Sequence, residues 1–121
     1  MTIQIENNLT ITDVQNAFES NFPYLKLMFF KKPHHEHEGN LKKDLLTSNA
    51  KIVSVKEGNG RITFDENITV IELEELFREH FGLNVQVFRK SGKSWIETTV
   101  TDNWTLKKQN DQGKELSELG F

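Results

Sequence analysis

The sequence predicts an α+β fold: a two-layer sandwich with a mainly antiparallel sheet and two matched helices on one face. Three observations carry that expectation. The segment Ile3–Lys32 aligns without a gap on Ile62–Ser91, a shift of 59 residues. Both segments contain a helix-start pattern, Asn8-Leu9-Thr10 in one and Asn67-Ile68-Thr69 in the other. In both, a strand-like run follows an apolar helical stripe, so that Phe18, Phe22 and Phe29 fall on Phe77, Phe81 and Phe88.

Met1–Glu6 alternates polar and apolar residues, with Ile3 and Ile5 on one side, the period of a half-buried strand. Thr10 and Thr69 are placed as helix N-caps. Each is followed three residues later by a carboxylate, Asp13 or Glu72, able to reach back to the cap N–H. Leu9 with Val14, and Ile68 with Leu73, stand at the positions of a hydrophobic staple. Ile11, Val14, Ala17, Phe18 and Phe22 then form an apolar face that Val70, Leu73, Leu76, Phe77 and Phe81 repeat. Pro23 ends the first helix and Gly82 the second.

Strands follow over Tyr24–Lys31 and Leu83–Lys90. The first is apolar on both faces, as for a central strand or one with a covered outer face. Asn40–Leu46 reads as one short helical turn in the connector. Lys51–Lys56 and Arg61–Phe64 read as a hairpin around Glu57-Gly58-Asn59-Gly60, because these residue types tolerate positive φ. Lys90-Ser91-Gly92-Lys93 turns the chain into a further strand, Trp95–Thr99. Asn103-Trp104-Thr105 repeats the helix-start pattern, and Leu106–Leu119 reads as a weaker helix interrupted by Gly113. The doubled β-α-β has ferredoxin-like element order, with extra hairpins outside the simple plan. A ubiquitin-like roll or another small α+β fold is the alternative. Residues 1–121 are expected to form a single domain.

Composition narrows the function classes. The chain is 36% hydrophobic and 27% charged, a globular balance, with net charge −3. That charge disfavours a general phosphate-binding surface, so nucleic acid is not the expected partner. Cysteine is absent, which removes disulfides, thiolate metal sites and a thiol nucleophile. The N-terminal residues lack a signal-peptide pattern and no segment has the length of a membrane span, so a cytoplasmic location without membrane partners is expected.

Two clusters are candidate sites. His34, His35 and His37, beside Glu36 and Glu38, supply imidazole and carboxylate donors suited to Zn, Ni or Cu. Neighbouring residues of an extended loop point apart, so casual chelation is the competing reading. Arg89, Lys90, Lys93 and Trp95 surround the second hairpin and offer charge and an aromatic surface to a partner. Against that, Trp95 could simply pack over the sheet. Ser91-Gly92-Lys93-Ser94 lacks the upstream glycine and following helix of a P-loop. The Asn-X-Thr triplets are explained locally as helix starts. Glu72, Glu74, Glu75 and Glu79 read as a solvated helix side, with Glu74 four residues from Arg78. No catalytic constellation or cofactor motif is identifiable, and no cofactor is expected. The sequence therefore favours a small non-enzymatic interaction or accessory module, binding a protein partner or a second copy of itself. The alternatives are a metal-binding protein using the His-rich connector and a small ligand-binding or catalytic domain.

Overall fold

The structure is a computed structural model, and it describes residues 2–30, 45–46, 51–52 and 60–118. These residues form β1 (Ile3–Glu6), α1 (Ile11–Asn21), β2 (Leu25–Phe30), β3 (Leu45–Leu46), β4 (Arg61–Phe64), α2 (Val70–Phe81), β5 (Asn84–Ser91), β6 (Ser94–Glu97) and α3 (Leu106–Glu118). The fold is α+β with antiparallel sheets, an arrangement compatible with a two-layer sandwich.

The strands divide between two sheets, where the sequence suggests one. β1 pairs with β4, and a second sheet has the order β3-β2-β5-β6. The division follows from like pairing with like. In β1 and β4, Ile3, Ile5, Ile62 and Phe64 are buried while Gln4, Arg61 and Thr63 are exposed. Their register, Ile3 opposite Phe64 and Ile5 opposite Ile62, puts the four apolar side chains on one face. β2 and β5 are longer and are buried on both faces over part of their length, and they take the centre of the larger sheet, with Leu27 opposite Val87 and Phe29 opposite Val85.

Both helix starts close as reciprocal capping boxes. The Thr10 hydroxyl accepts from the Asp13 N–H at 3.0 Å, and the Asp13 carboxylate accepts from the Thr10 N–H at 3.0 Å. Thr69 and Glu72 do the same at 3.2 and 3.1 Å. Hydrogen bonding to the ionised form holds the Asp13 and Glu72 carboxyls below their ordinary values. Gly82 ends α2 in the left-handed region at φ 65°, a conformation that a Cβ disfavours. The helices bury Val14, Phe18, Leu73 and Phe77 into one apolar cluster with both sheets. Phe29 of β2 meets Phe77 of α2 edge-on, with ring centroids 5.6 Å apart.

Each cap is also tied to a later segment. Thr10 bridges to Lys51, and the Ile52 N–H donates to the Leu9 carbonyl at 2.9 Å. Thr69 bridges to Thr105, and the Leu106 N–H donates to the Ile68 carbonyl at 2.9 Å. Ile52 and Leu106 are both buried.

Several local expectations change. Leu45 and Leu46 pair with Phe30 and Phe29 as strand rather than helical turn; residues 40–44 lie outside the described set. Arg61–Phe64 takes β1 as its partner, and residues 53–59 of the expected hairpin also lie outside it. α3 runs through Gly113 without interruption. The glycine is buried where α3 crosses the ends of β2 and β5, and a Cβ there would lie 2.9 Å from Tyr24 Cβ and 3.2 Å from Arg89 Cγ. Close approach, rather than chain breaking, accounts for it.

Candidate functional site

Strand register determines how the hairpin residues are presented. Directly opposed residues of an antiparallel sheet share a face. Leu25, Arg89 and Ile96 form one row on the inner face, and Leu27 and Val87 form the next. The outer face carries Lys26, Phe88 and Glu97 in one row, with Lys90 and Trp95 in the neighbouring one. Further along the same face Phe30, Asn84 and Gln86 are buried. Lys26, Met28, Phe88, Lys90, Trp95 and Glu97 remain half-buried, and Lys93 is exposed at the turn, where Gly92 has φ 63°. The outer face thus has a covered end and an open end.

The four hairpin residues therefore separate. Lys90 and Trp95 are direct cross-strand neighbours on the open end, and Lys93 projects from the tip beside them. Arg89 points to the opposite face. Its Nη1 donates to Gln109 Oε1 at 2.8 Å, and its guanidinium lies 5.5 Å from the centre of the Trp104 ring. Partial burial lowers its pKa from the ordinary value. The fully buried Gln109 amide then donates to the carbonyl and hydroxyl of Thr101 at 2.8 and 2.9 Å. Arg89 thereby ties α3 and the segment before it to the sheet.

A residue from the other half of the sequence joins the open patch. Lys26 Nζ lies 4.4 Å from the centre of the Trp95 ring, a cation–π contact across the sheet. Its sequence signal is the alternation of β2, which puts Lys26 and Met28 opposite to Leu25 and Leu27; locating Lys26 beside Trp95 also requires the register. Trp104 is flanked by a second cation, Lys108 Nζ at 4.1 Å.

The edge of this sheet adds backbone groups. The Thr98 N–H donates to the Val87 carbonyl at 3.3 Å, so Thr98, and by alternation Ile96 and Ser94, turn toward β5. Trp95 and Glu97 consequently turn their backbone N–H and C=O away from β5, and no strand flanks that side among the described residues. Ile96 is 39% exposed and Val100 is 87% exposed; they are the large apolar residues left open in the described structure.

The interior holds an ionisable cluster. Glu74 is buried on α2, not solvated beside Arg78 as its helical spacing suggests. Burial pushes its carboxyl up to about 8, and the nearby Asp102 charge adds to the rise, against the opposing charge of Arg78. Glu74 and Asp102 are both buried.

His34, His35 and His37 lie outside the described residues. Within those residues, no group of three His, Cys, Asp or Glu side chains is arranged to hold a metal ion. A cleft of about 80 Å³ lies between Glu6, Asn7, Gly60 and Arg61, whose guanidinium pairs with Glu6 at 2.9 Å. No described helix is long and apolar enough to cross a membrane. No protein-family model, curated protein or solved structure matches the chain.

Proposed function

We propose that this protein is a non-enzymatic interaction module that binds a protein partner through the open end of the larger sheet. The observation that carries the reading is the grouping of the half-buried Lys26, Phe88, Lys90 and Trp95 and the exposed Lys93 around one sheet end, beside a strand edge that no described strand pairs with. Aromatic and cationic side chains at such a place supply desolvation energy and orientation together, while the edge offers backbone hydrogen bonds. Arg89 serves the fold rather than the contact surface.

The scaffold presenting this surface is a tandem of two β-α-β-β units, each ended by a buried Ile or Leu tied to its own helix cap. Support comes from three correspondences. Gln4 lies opposite Thr63, the residues that the shift of 59 equates. The sheet order β3-β2-β5-β6 reads alike from either end when β2 is equated with β5 and β3 with β6. The Ile52 and Leu106 bonds end on the equivalent carbonyls of Leu9 and Ile68. On this reading the ferredoxin-like element order arises from tandem units whose equivalent strands pair, β1 with β4 and β2 with β5.

The test is a photoreactive side chain placed at Lys93 and, as control, at the exposed Asn16 of α1, expressed in the native cells. A discrete adduct from position 93, absent from position 16 and lost in Lys90→Glu/Trp95→Ala, is expected. Equal labelling from both positions, or none from position 93, would sink the reading.

A further inference from the structure

We infer that the partner at this edge is a second copy of the chain, joined β6 to β6 in antiparallel register with Trp95 facing its own counterpart. The inference rests on the interaction reading above and specifies its partner. It begins with the edge. Trp95 and Glu97 direct their backbone N–H and C=O outward, as the Thr98-to-Val87 bond fixes by alternation. Such a row is a template for another strand. β6 is a proline-free edge whose one charge, Glu97, stands at its end, and it offers a half-open tryptophan and an exposed isoleucine. The described large apolar residues left in water, Ile96 and Val100, sit in this strand and three residues after it.

Symmetry restricts the register. Two antiparallel edges related by a two-fold axis must keep like faces together, so each residue of the outer face meets another of that face. Within β6 the axis can then pass through Ser94, Trp95, Ile96 or Glu97. An axis through Ser94 overlaps the two turns and leaves Glu97 without an opposite charge. An axis through Glu97 sets two carboxylates against each other, which is unfavourable. An axis through Ile96 puts Trp95 opposite the partner's Glu97 and leaves Lys93 without an opposite charge. An axis through Trp95 brings Lys93 of each copy opposite Glu97 of the other and sets the two indoles side by side. Charge complementarity therefore selects the last. Lys26, which already contacts Trp95 at 4.4 Å, then covers the indole pair from each side of the axis. The larger sheets of the two copies become continuous.

The register gives a charge-reversal test by sedimentation velocity at low salt. The wild type is expected to sediment at twice the 14.1 kDa chain mass at micromolar concentration. Lys93→Glu places Glu opposite Glu, and Glu97→Lys places Lys opposite Lys, so each single variant is expected to dimerise at least about tenfold more weakly. Mixing the two variants restores opposite charges at both contacts, and a heterodimer is expected to form from two weakly associating chains. Lys93 lies on the turn and Glu97 is half-buried at the edge, so both substitutions spare the core; circular dichroism checks the fold. A wild type that stays monomeric at high concentration, or a mixture no more associated than its components, overturns the inference. If the chain is monomeric yet the probe at position 93 still gives an adduct with a different protein, the interaction reading survives and only self-pairing fails. A monomer with no adduct removes both.

Discussion

Glu74 carries a protonated carboxyl at neutral pH, because burial and the charge of Asp102 both oppose its ionisation. The sign of the consequence follows from proton linkage. The unfolded chain releases this proton near the ordinary value of 4.5, whereas the folded chain keeps it until about 8. Between those values the native state binds a proton that the unfolded state lacks, so stability falls as pH rises through the window and levels off above it. The slope attributable to this carboxyl is roughly 1 kcal/mol per pH unit. Glu74→Gln is expected to remove that slope, so that its urea midpoint gains on the wild type from pH 5 to about pH 8 and the difference then levels off. Parallel midpoints for the two proteins would show that the carboxyl ionises freely in the fold. Helical spacing alone pairs Glu74 with Arg78, since four residues make one turn; the segment around Asp102 that closes over it arrives from far along the chain. Arg89 misleads in the same manner. It stands among hairpin residues in sequence, but the parity of its position in β5 sends it to α3.

At the level of elements, local signals were sufficient wherever local chemistry decides. Thr10 with Asp13 and Thr69 with Glu72 mark their helix starts within a single turn, and Gly82 and Gly92 mark positive φ. Gly113 shows the opposite case. In isolation a mid-helix glycine costs about 1 kcal/mol relative to alanine and reads as a weak point. Here α3 lies so near the sheet that a Cβ would press on Tyr24 and Arg89, while the Tyr24 N–H donates to Asn110 of the same helix at 3.0 Å. Gly113→Ala is expected to destabilise the protein by roughly 1–2 kcal/mol, overpacking outweighing the gain in helix propensity. Denaturant unfolding would measure it; an alanine variant as stable as the wild type would mean that α3 can move outward at no cost. β3 was illegible for a related reason. Two residues carry no period, and only their pairing with Phe29 and Phe30 makes them strand.

Across the whole molecule, the likeness of Ile3–Lys32 to Ile62–Ser91 was visible in the letters, but the neighbours of each strand were not. Similarity states that two segments suit the same environment; it does not say whether they share a sheet or lie in separate ones. The division into two sheets lies in the pairing of the short, alternating β1 with β4 and of the longer, more deeply buried β2 with β5. For the proposed hairpin site, the residue types were readable, whereas the addition of Lys26 and the loss of Arg89 depended on register. Since β1 pairs with β4 and β2 with β5, each of the two described sheets takes strands from both halves of the chain. A chain cut between Glu57 and Gly58 is expected to give two fragments without cooperative unfolding, and mixing them should restore helical dichroism; a fragment that folds alone would contradict this dependence. The same dependence acts during synthesis. Leu25–Phe30 emerges from the ribosome well before Asn84–Ser91 has been made. At roughly 5–20 residues per second the wait is on the order of several seconds. Throughout it, Leu27 and Phe29 have no β5 to lie beside, so the greasy strand stays open on that side until translation is nearly finished.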